Sequence, residues 1–272
     1  MLLPAVTGSD SNRVGVSRHR PTDGVDRMRN PGALVSNEII LAELRHFLER
    51  NFADRPGAIV LDLGAGSKPY APLYEQYFAS STSADVPYSP HDTSDVDVMA
   101  SADSLPFADE AFDCVICTEV LEHCARPQET MAQIHRVLKA GGRVFLTTPF
   151  LRPLHEMPHD YFRYTPSAIH HLATSAGLTV LSVRPRGEYV AVALAILQMP
   201  VGKAWYFLAK YTHLPLNSSR NPLLYVTVVG PQRLYVEVWK WIRRRDGPAQ
   251  RLYDKLSYYT LGHITELEKP PA

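Results

Sequence analysis

The stretch Ile59–Tyr70, "IVLDLGAGSKPY", decides the fold. An apolar run of strand-forming residues stops at the acid Asp62, and Gly64 and Gly66 then flank Ala65. A strand that ends in an acid and turns through G-x-G toward a helix makes a ligand site in an open α/β sheet. The glycines let backbone approach the ligand, and the helix N-terminus favours negative groups. A dinucleotide fingerprint asks for a third glycine three residues after the second, and Pro69 stands there instead. The turn therefore suits an adenosine-type ligand better than a pyrophosphate, which disfavours a nicotinamide-dependent oxidoreductase.

Working outward, residues 31–52 place Leu34, Ile39, Ile40, Leu44, Phe47 and Leu48 at helical spacing. Pro69 can open a helix through "YAPLYEQYFA". "STSADV" reads as a second strand ending near Asp85, residues 96–100 as a short third, and "AFDCVICTEVL" as a fourth running into a loop. "RPQETMAQIHRVLKAGG" reads as a helix with Pro127 at its start and Gly141 as terminator. "RVFLTTP" is a fifth strand, "TPSAIHHLATSAGL" a helix and "TVLSV" a sixth strand. Strands alternating with helices predict a parallel sheet covered on both faces.

That rhythm breaks after residue 187. "YVAVALAIL", "AWYFLA", "NPLLYVTVV" and "LYVEVWKWIRRR" are apolar runs, each too short to cross a bilayer. They read as hydrophobic helices inserted before a last strand within "YYTLGHITELE". The expected organisation is a disordered tail over 1–30, a core over 31–187, a helical cap over 188–254, and the final strand and tail over 255–272.

Twenty-eight basic residues balance 28 acidic ones, so charge recommends neither nucleic acid nor an anionic membrane as partner. Of the three cysteines, Cys114 and Cys117 form C-x-x-C inside an apolar run. They read as small residues of a buried strand, and no second cysteine pair completes a zinc site. An odd count suits a reducing compartment, and the N-terminus has no secretory leader, so the expected location is cytoplasmic. Trp205, Tyr206, Phe207, Trp239 and Trp241, with arginines at 243–245, suit core packing, a wall around a hydrophobic acceptor, dimerisation or peripheral membrane contact. Oligomeric state is left open.

The ordered series "LDLGAGS", "ADV", "ADSLPFADEAFDCVICTEVLEH" and "RVLKAGGRVFLTTP" resembles the class I S-adenosylmethionine-dependent methyltransferases of the type 11 family, over roughly residues 35 to 185. The resemblance implies a Rossmann-like, mostly parallel seven-stranded sheet with S-adenosyl-L-methionine as cofactor. It places Asp62, Gly64, Ala65 and Gly66 around the methionine end, Asp85 at the ribose hydroxyls, and Ala102 and Asp103 beside the adenine. Cys117 and Thr118 line the site after the fourth strand. Ser101 stands where the family commonly carries an acid, so Ser101 and Asp103 compete for the adenine amine.

The acceptor is expected at the carboxyl ends of the strands, which nominates "PFLRPLHEMPHDYFRYTP" after strand five. It carries His155, Glu156, His159, Asp160, Arg163 and Tyr164 within ten residues. His155 and His159 are the candidate general bases, while Asp160 and Arg163 can pair to fix the loop. "DYFRYT" also matches a segment common in related methyltransferases. Glu119, Glu122 and His123 stand at i, i+3, i+4, one face of a helix. With a histidine following downstream, they resemble the metal-binding pattern of small-RNA 2′-O-methyltransferases and some quinone-ring O-methyltransferases. "EVLEH" also ends strand four in type 11 enzymes without a metal, and no metal is assigned.

The expectation is methyl transfer to a small-molecule or lipid-linked acceptor, at oxygen. The alternatives are a cofactor-binding but catalytically silent partner subunit, and a divalent-metal-dependent O-methyltransferase using Glu119, Glu122 and His123.

Overall fold

The computed structural model describes residues 31–187, 189–212, 227, 229–243 and 260–271. The expected tail over 1–30, "NPLLYVTVV" save Thr227 and Val229, Arg244, Arg245 and the first residues of the C-terminal segment lie outside these, as do the side chains of Trp205 and Tyr206.

In chain order the elements are α1 (Pro31–Phe52), β1 (Ile59–Leu63), α2 (Ala71–Tyr74), β2 (Ser80–Asp85), β3 (Val98–Met99), β4 (Phe112–Thr118) and α3 (Pro127–Val137). Then follow β5 (Leu138–Pro149), α4 (Pro166–Ser175), β6 (Thr179–Arg186), α5 (Tyr189–Thr212), α6 (Gly230–Arg243) and β7 (Gly262–Glu268). One sheet of seven strands takes the order β3-β2-β1-β4-β5-β7-β6. β1 pairs in parallel with both β2 and β4, β2 with β3, and β4 with β5. β7 runs antiparallel between β5 and β6. The chain departs from β1 in one direction to β2 and returns on the other side at β4. A crevice opens beyond the strand ends at such a reversal, and ligands enter there.

Two apolar layers cover the sheet. On one face the stripe Ile39, Ile40, Leu44, Phe47 and Leu48 of α1 packs on Val60, Cys114, Ile116 and Phe145, and the Phe47 and Phe145 rings meet at 5.4 Å. On the other, Met131, Ile134 and Val137 of α3 and Ile169, Leu172 and Ala173 of α4 pack on Leu61, Val115, Val144 and Leu146. Thr165 caps α4, its hydroxyl accepting from the Ala168 amide, with Pro166 in the first turn. Cys114 and Cys117 are free thiols with no exposed surface, as the strand reading requires.

Two local expectations are corrected. The helix after Pro69 is a single turn, because Ala79 must already bond to Ala58 as β2 begins at Ser80. Gly141 does not end α3. The helix stops at Val137, where Leu138 turns extended and pairs with Phe112, and Gly141 follows inside β5. β4 ends at Thr118 and runs into the "EVL" loop as expected.

α5 and α6 stand where the cap was expected, between β6 and β7. Ala191, Val192 and Ala195 of α5 and Tyr235, Val236 and Trp239 of α6 join the same core layer as α1. Leu197, Phe207, Leu234 and Trp241 face outward. Among the described residues no helix is long and apolar enough to cross a membrane.

Candidate active site

The crevice at the β1/β4 reversal holds a cleft of about 480 Å³, walled by the loops after β1, β2, β3, β4 and β5. That volume lies within the range of small-molecule sites. No described residue of α5 or α6 lines it, so the cap, as far as it is described, braces α1 instead of roofing the acceptor.

The floor is the turn after β1. Gly64 and Gly66 adopt positive φ, 70° and 51°, a region that side chains disfavour. A Cβ on Gly64 would overlap Val120, and one on Gly66 would press on the His91 ring at 3.3 Å. The Gly64 and Ala65 amides donate to the Ala84 carbonyl at 2.8 and 3.1 Å, tying the turn to β2. Asp62 is buried and accepts from the Tyr74 hydroxyl at 2.8 Å. Burial outweighs that bond and pushes its carboxyl up to about 6.

Asp85 closes β2. Its two oxygens accept from the Gly66 amide at 2.6 Å and the Val86 amide at 2.7 Å. Each keeps a lone pair for a hydroxyl donor. Ala102 and Asp103 line the cleft from the loop after β3. The Ser101 hydroxyl, with Arg126 2.7 Å away, holds the Asp103 carboxyl below its usual range. Ser101 and Asp103 are thus one hydrogen-bonded unit. Thr118 lines the cleft, whereas Cys117, one residue earlier and on the opposite pleat, is sealed in the core.

Glu119 does not share a helical face with Glu122 and His123. It follows β4 with φ 56°, and only Leu121–His123 form a helical turn, of the 3-10 kind. Burial alone would raise its carboxyl, but Arg186 and then Arg152 and Thr147 hold it down at about 2. Arg186 meets it at 2.5 and 3.0 Å and Arg152 at 2.9 Å. Both oxygens are spoken for, so Glu119 leaves the metal set read from the sequence. Glu122, with no exposed side-chain surface, makes no side-chain hydrogen bond. Burial, with Glu119 adding to it, raises its carboxyl well above the usual range.

The loop after β5 folds back on this turn. The Tyr161 amide donates to the Glu122 carbonyl at 2.9 Å, and the Tyr164 hydroxyl to the Leu121 carbonyl at 3.0 Å. "EVLEH" and "DYFRYT" therefore belong together because one docks on the other. Arg163 grips both Asp160 oxygens, at 2.6 and 2.8 Å, and holds that carboxyl well below its usual range. This is the loop-fixing pair expected. His159 lines the cleft; His155 does not, its Nδ1 lying 3.2 Å from the Pro153 carbonyl and 3.3 Å from Asp160. Burial lowers its pKa.

Sequence reasoning passed over Tyr88 and His91, in the loop after β2, and gave Glu156 no role. The His91 ring reaches Glu156 at 3.3 Å, joining the loops after β2 and β5 across the cleft. The position of "PYSPHD" directly after a strand carboxyl end was the available signal.

Fold and cleft together define a cofactor-binding α/β enzyme of the methyltransferase kind. The family model described as "Methyltransferase domain" matches residues 36–183, more than half the chain. The chain belongs to that family, and with it to the class I methyltransferases that use S-adenosyl-L-methionine. The Klebsiella pneumoniae subsp. pneumoniae ubiquinone/menaquinone biosynthesis C-methyltransferase UbiE is 39% identical over 60 residues, 21% of this chain and 24% of that protein. The match thus spans about a quarter of that relative's length. Two solved structures share the fold at 18% identity. The [4+2]-cyclase SpnF covers 85% of this chain and 82% of its own, with a TM-score of 0.52. A complex containing the Haloferax volcanii Trm112 methyltransferase activator covers 91% and 98%, with a TM-score of 0.50. The residues present suit the cofactor: the positive-φ glycines open the floor, and Asp85 retains acceptor capacity at one end of a cleft of the right size.

Proposed function

We propose that the protein transfers the methyl group of S-adenosyl-L-methionine to an oxygen of a small-molecule or lipid-linked acceptor. The observation that carries this reading is the placement of His159 in the wall of the cleft whose floor is the Gly64–Gly66 turn. Asp62 takes the cofactor's ammonium end, Gly64, Ala65 and Gly66 its methionine backbone, Asp85 the ribose hydroxyls, and Ala102 with Asp103 the adenine. Thr118 borders the sulfonium.

The sulfonium methyl is already electrophilic, so the protein's work is alignment, exclusion of water and removal of one proton. His159 Nδ1 stands 3.0 Å from the Tyr161 hydroxyl. With the proton on Nδ1 donated to the Tyr161 oxygen, Nε2 is free to accept from the acceptor. The acceptor O–H bond gives its proton to Nε2, and the oxygen pair forms the C–O bond. Bound S-adenosyl-L-methionine would supply the methyl group and depart as S-adenosylhomocysteine, its sulfur keeping the C–S electron pair.

The partial match to UbiE supports a second reading, methylation at carbon, for which the same base would form the enolate or phenolate. The deciding experiment follows transfer from 13C-methyl cofactor across an acceptor panel, reading methoxy against C-methyl carbon shifts. His159→Ala should lower kcat about 100-fold or more. Unchanged kcat removes His159 as base. Cofactor binding without turnover on any acceptor would favour the silent-subunit alternative.

A further inference from the structure

Beneath the His159 wall lies a cluster that methyl transfer does not use. Glu122, His123 and His155 bring three metal-binding atoms within 4.8 Å of one another. Both Glu122 oxygens, His123 Nε2 and His155 Nε2 are buried, and none has a hydrogen-bond partner. Each ring is oriented by its other nitrogen. His123 Nδ1 lies 2.7 Å from the His159 carbonyl, and His155 Nδ1 3.2 Å from the Pro153 carbonyl. A carbonyl only accepts, so both protons sit on Nδ1, and both Nε2 lone pairs turn toward Glu122.

Around these groups stands the support that metal ligands need. Asp160 approaches His155 Nδ1 at 3.3 Å and is itself clamped by Arg163. A carboxylate behind a ligating histidine fixes ring orientation and tautomer. The His123 and His155 rings cross edge-on, with centroids 4.8 Å apart, so two lone pairs and one carboxylate converge. Three buried donor atoms converge there with no hydrogen bond to satisfy them; a proton on Glu122 would satisfy one of them, whereas a cation joins all three.

We propose that Glu122, His123 and His155 bind one divalent transition-metal ion. Bonds of about 2.0–2.2 Å to a tetrahedral centre put neighbouring donors about 3.3 Å apart. Glu122 Oε1 lies 3.7 Å from His123 Nε2 and 4.0 Å from His155 Nε2, and the donor set spans up to 4.8 Å, so the side chains must draw together by up to about 1.5 Å to close the site. Two imidazoles and a carboxylate select the manganese-to-zinc group over magnesium or calcium, which want oxygen throughout. Glu156, with Oε2 3.6 Å from His123 Nε2, stands ready as a fourth donor. Since His123 and Glu156 also line the cleft, the bound ion would lie beside the space proposed for the acceptor. An oxygen-bearing acceptor held there would lose its proton more easily. This last step rests on the methyl-transfer reading; the metal site itself does not.

The test uses tag-free full-length protein stripped with EDTA and titrated calorimetrically with Zn2+. Parallel samples are titrated with Co2+, read by visible absorption, and with S-adenosylhomocysteine. We expect one Zn2+ per chain, a Co2+ visible band of nitrogen–oxygen ligation, and Zn2+ affinity at least tenfold weaker in both Glu122→Gln and His155→Ala. His155 lies in a surface loop, and retained S-adenosylhomocysteine binding shows that each variant is folded. Wild-type protein that binds S-adenosylhomocysteine but no stoichiometric Zn2+ or Co2+ overturns the proposal and leaves methyl transfer standing. Metal binding unchanged in both variants overturns it equally. Metal binding without S-adenosylhomocysteine binding supports the site and sinks the transfer reading.

Discussion

Arg186, the last residue of β6, and Glu119, just beyond β4, meet through two hydrogen bonds of 2.5 and 3.0 Å although 67 residues separate them. Strands β5 and β7 lie between their own strands in the sheet, so the pair spans the strand ends like a tie-bar. Arg186 is 1% exposed. Glu119→Gln strands that charge in the interior and should cost about 3–5 kcal/mol. Urea unfolding reads this directly, and a loss below about 1 kcal/mol would mean the pair contributes little.

Asp85 already accepts two amide hydrogens, and its remaining lone pairs are assigned to the ribose. Asp85→Ala should weaken S-adenosylhomocysteine binding about tenfold or more, since charge-assisted bonds are lost. Calorimetric titration decides it, and an unchanged Kd removes Asp85 from the cofactor site.

The raised carboxyl of Asp62, at about 6, gives cofactor binding a pH signature. Above pH 6 the group is already charged, as an ammonium partner requires, and affinity should be flat. Below pH 6 binding must first release a proton, so affinity should fall toward tenfold per pH unit. Asp62→Asn should bind more weakly at pH 8 and lose the slope. A wild-type profile flat to pH 5 contradicts the assignment.

His263, on β7, is 4% exposed. Burial, with Arg186 adding to it, pushes its pKa down to about 4. A depressed histidine stabilises the fold fully above its unfolded value near 6.5, and that stability drains away as pH falls from about 6.5 to 4. The whole is worth up to about 3 kcal/mol. Asp62 acts with opposite sign below pH 6, since its native form keeps the proton. Comparing wild type with His263→Gln isolates the histidine: the variant's unfolding free energy should fall less steeply over that window. Parallel curves would count against it.

Most of the sheet was legible because its signals are local. The apolar run to Asp62, the Gly64–Gly66 turn and the alternation of periods each sit within a dozen residues. The helix ends at Gly141 and after Tyr74 were not, since a strand partner decided them: Phe112 takes Leu138, and Ala58 takes Ala79. In the site, "EVLEH" supplied two of the three residues of the proposed metal cluster. Glu119 misled because the helical spacing assumed for it fails at φ 56°, and because Arg186 lies far along the chain. His155 was read as one of two candidate bases, and its place in that cluster is a proposal. Only folding brings Asp160, Pro153 and Glu122 around its ring.

The antiparallel strand has a consequence for how the molecule is made. β7 is translated after β5 and β6, yet it sits between them. A nascent chain synthesised as far as Arg243 therefore lacks the strand that joins β5 to β6, and the edges those two strands offer β7 have no partner. Until Gly262–Glu268 leave the ribosome, those edges are open to any extended segment nearby. Chaperone occupancy on the growing chain should peak in that interval and drop once β7 pairs with both strands.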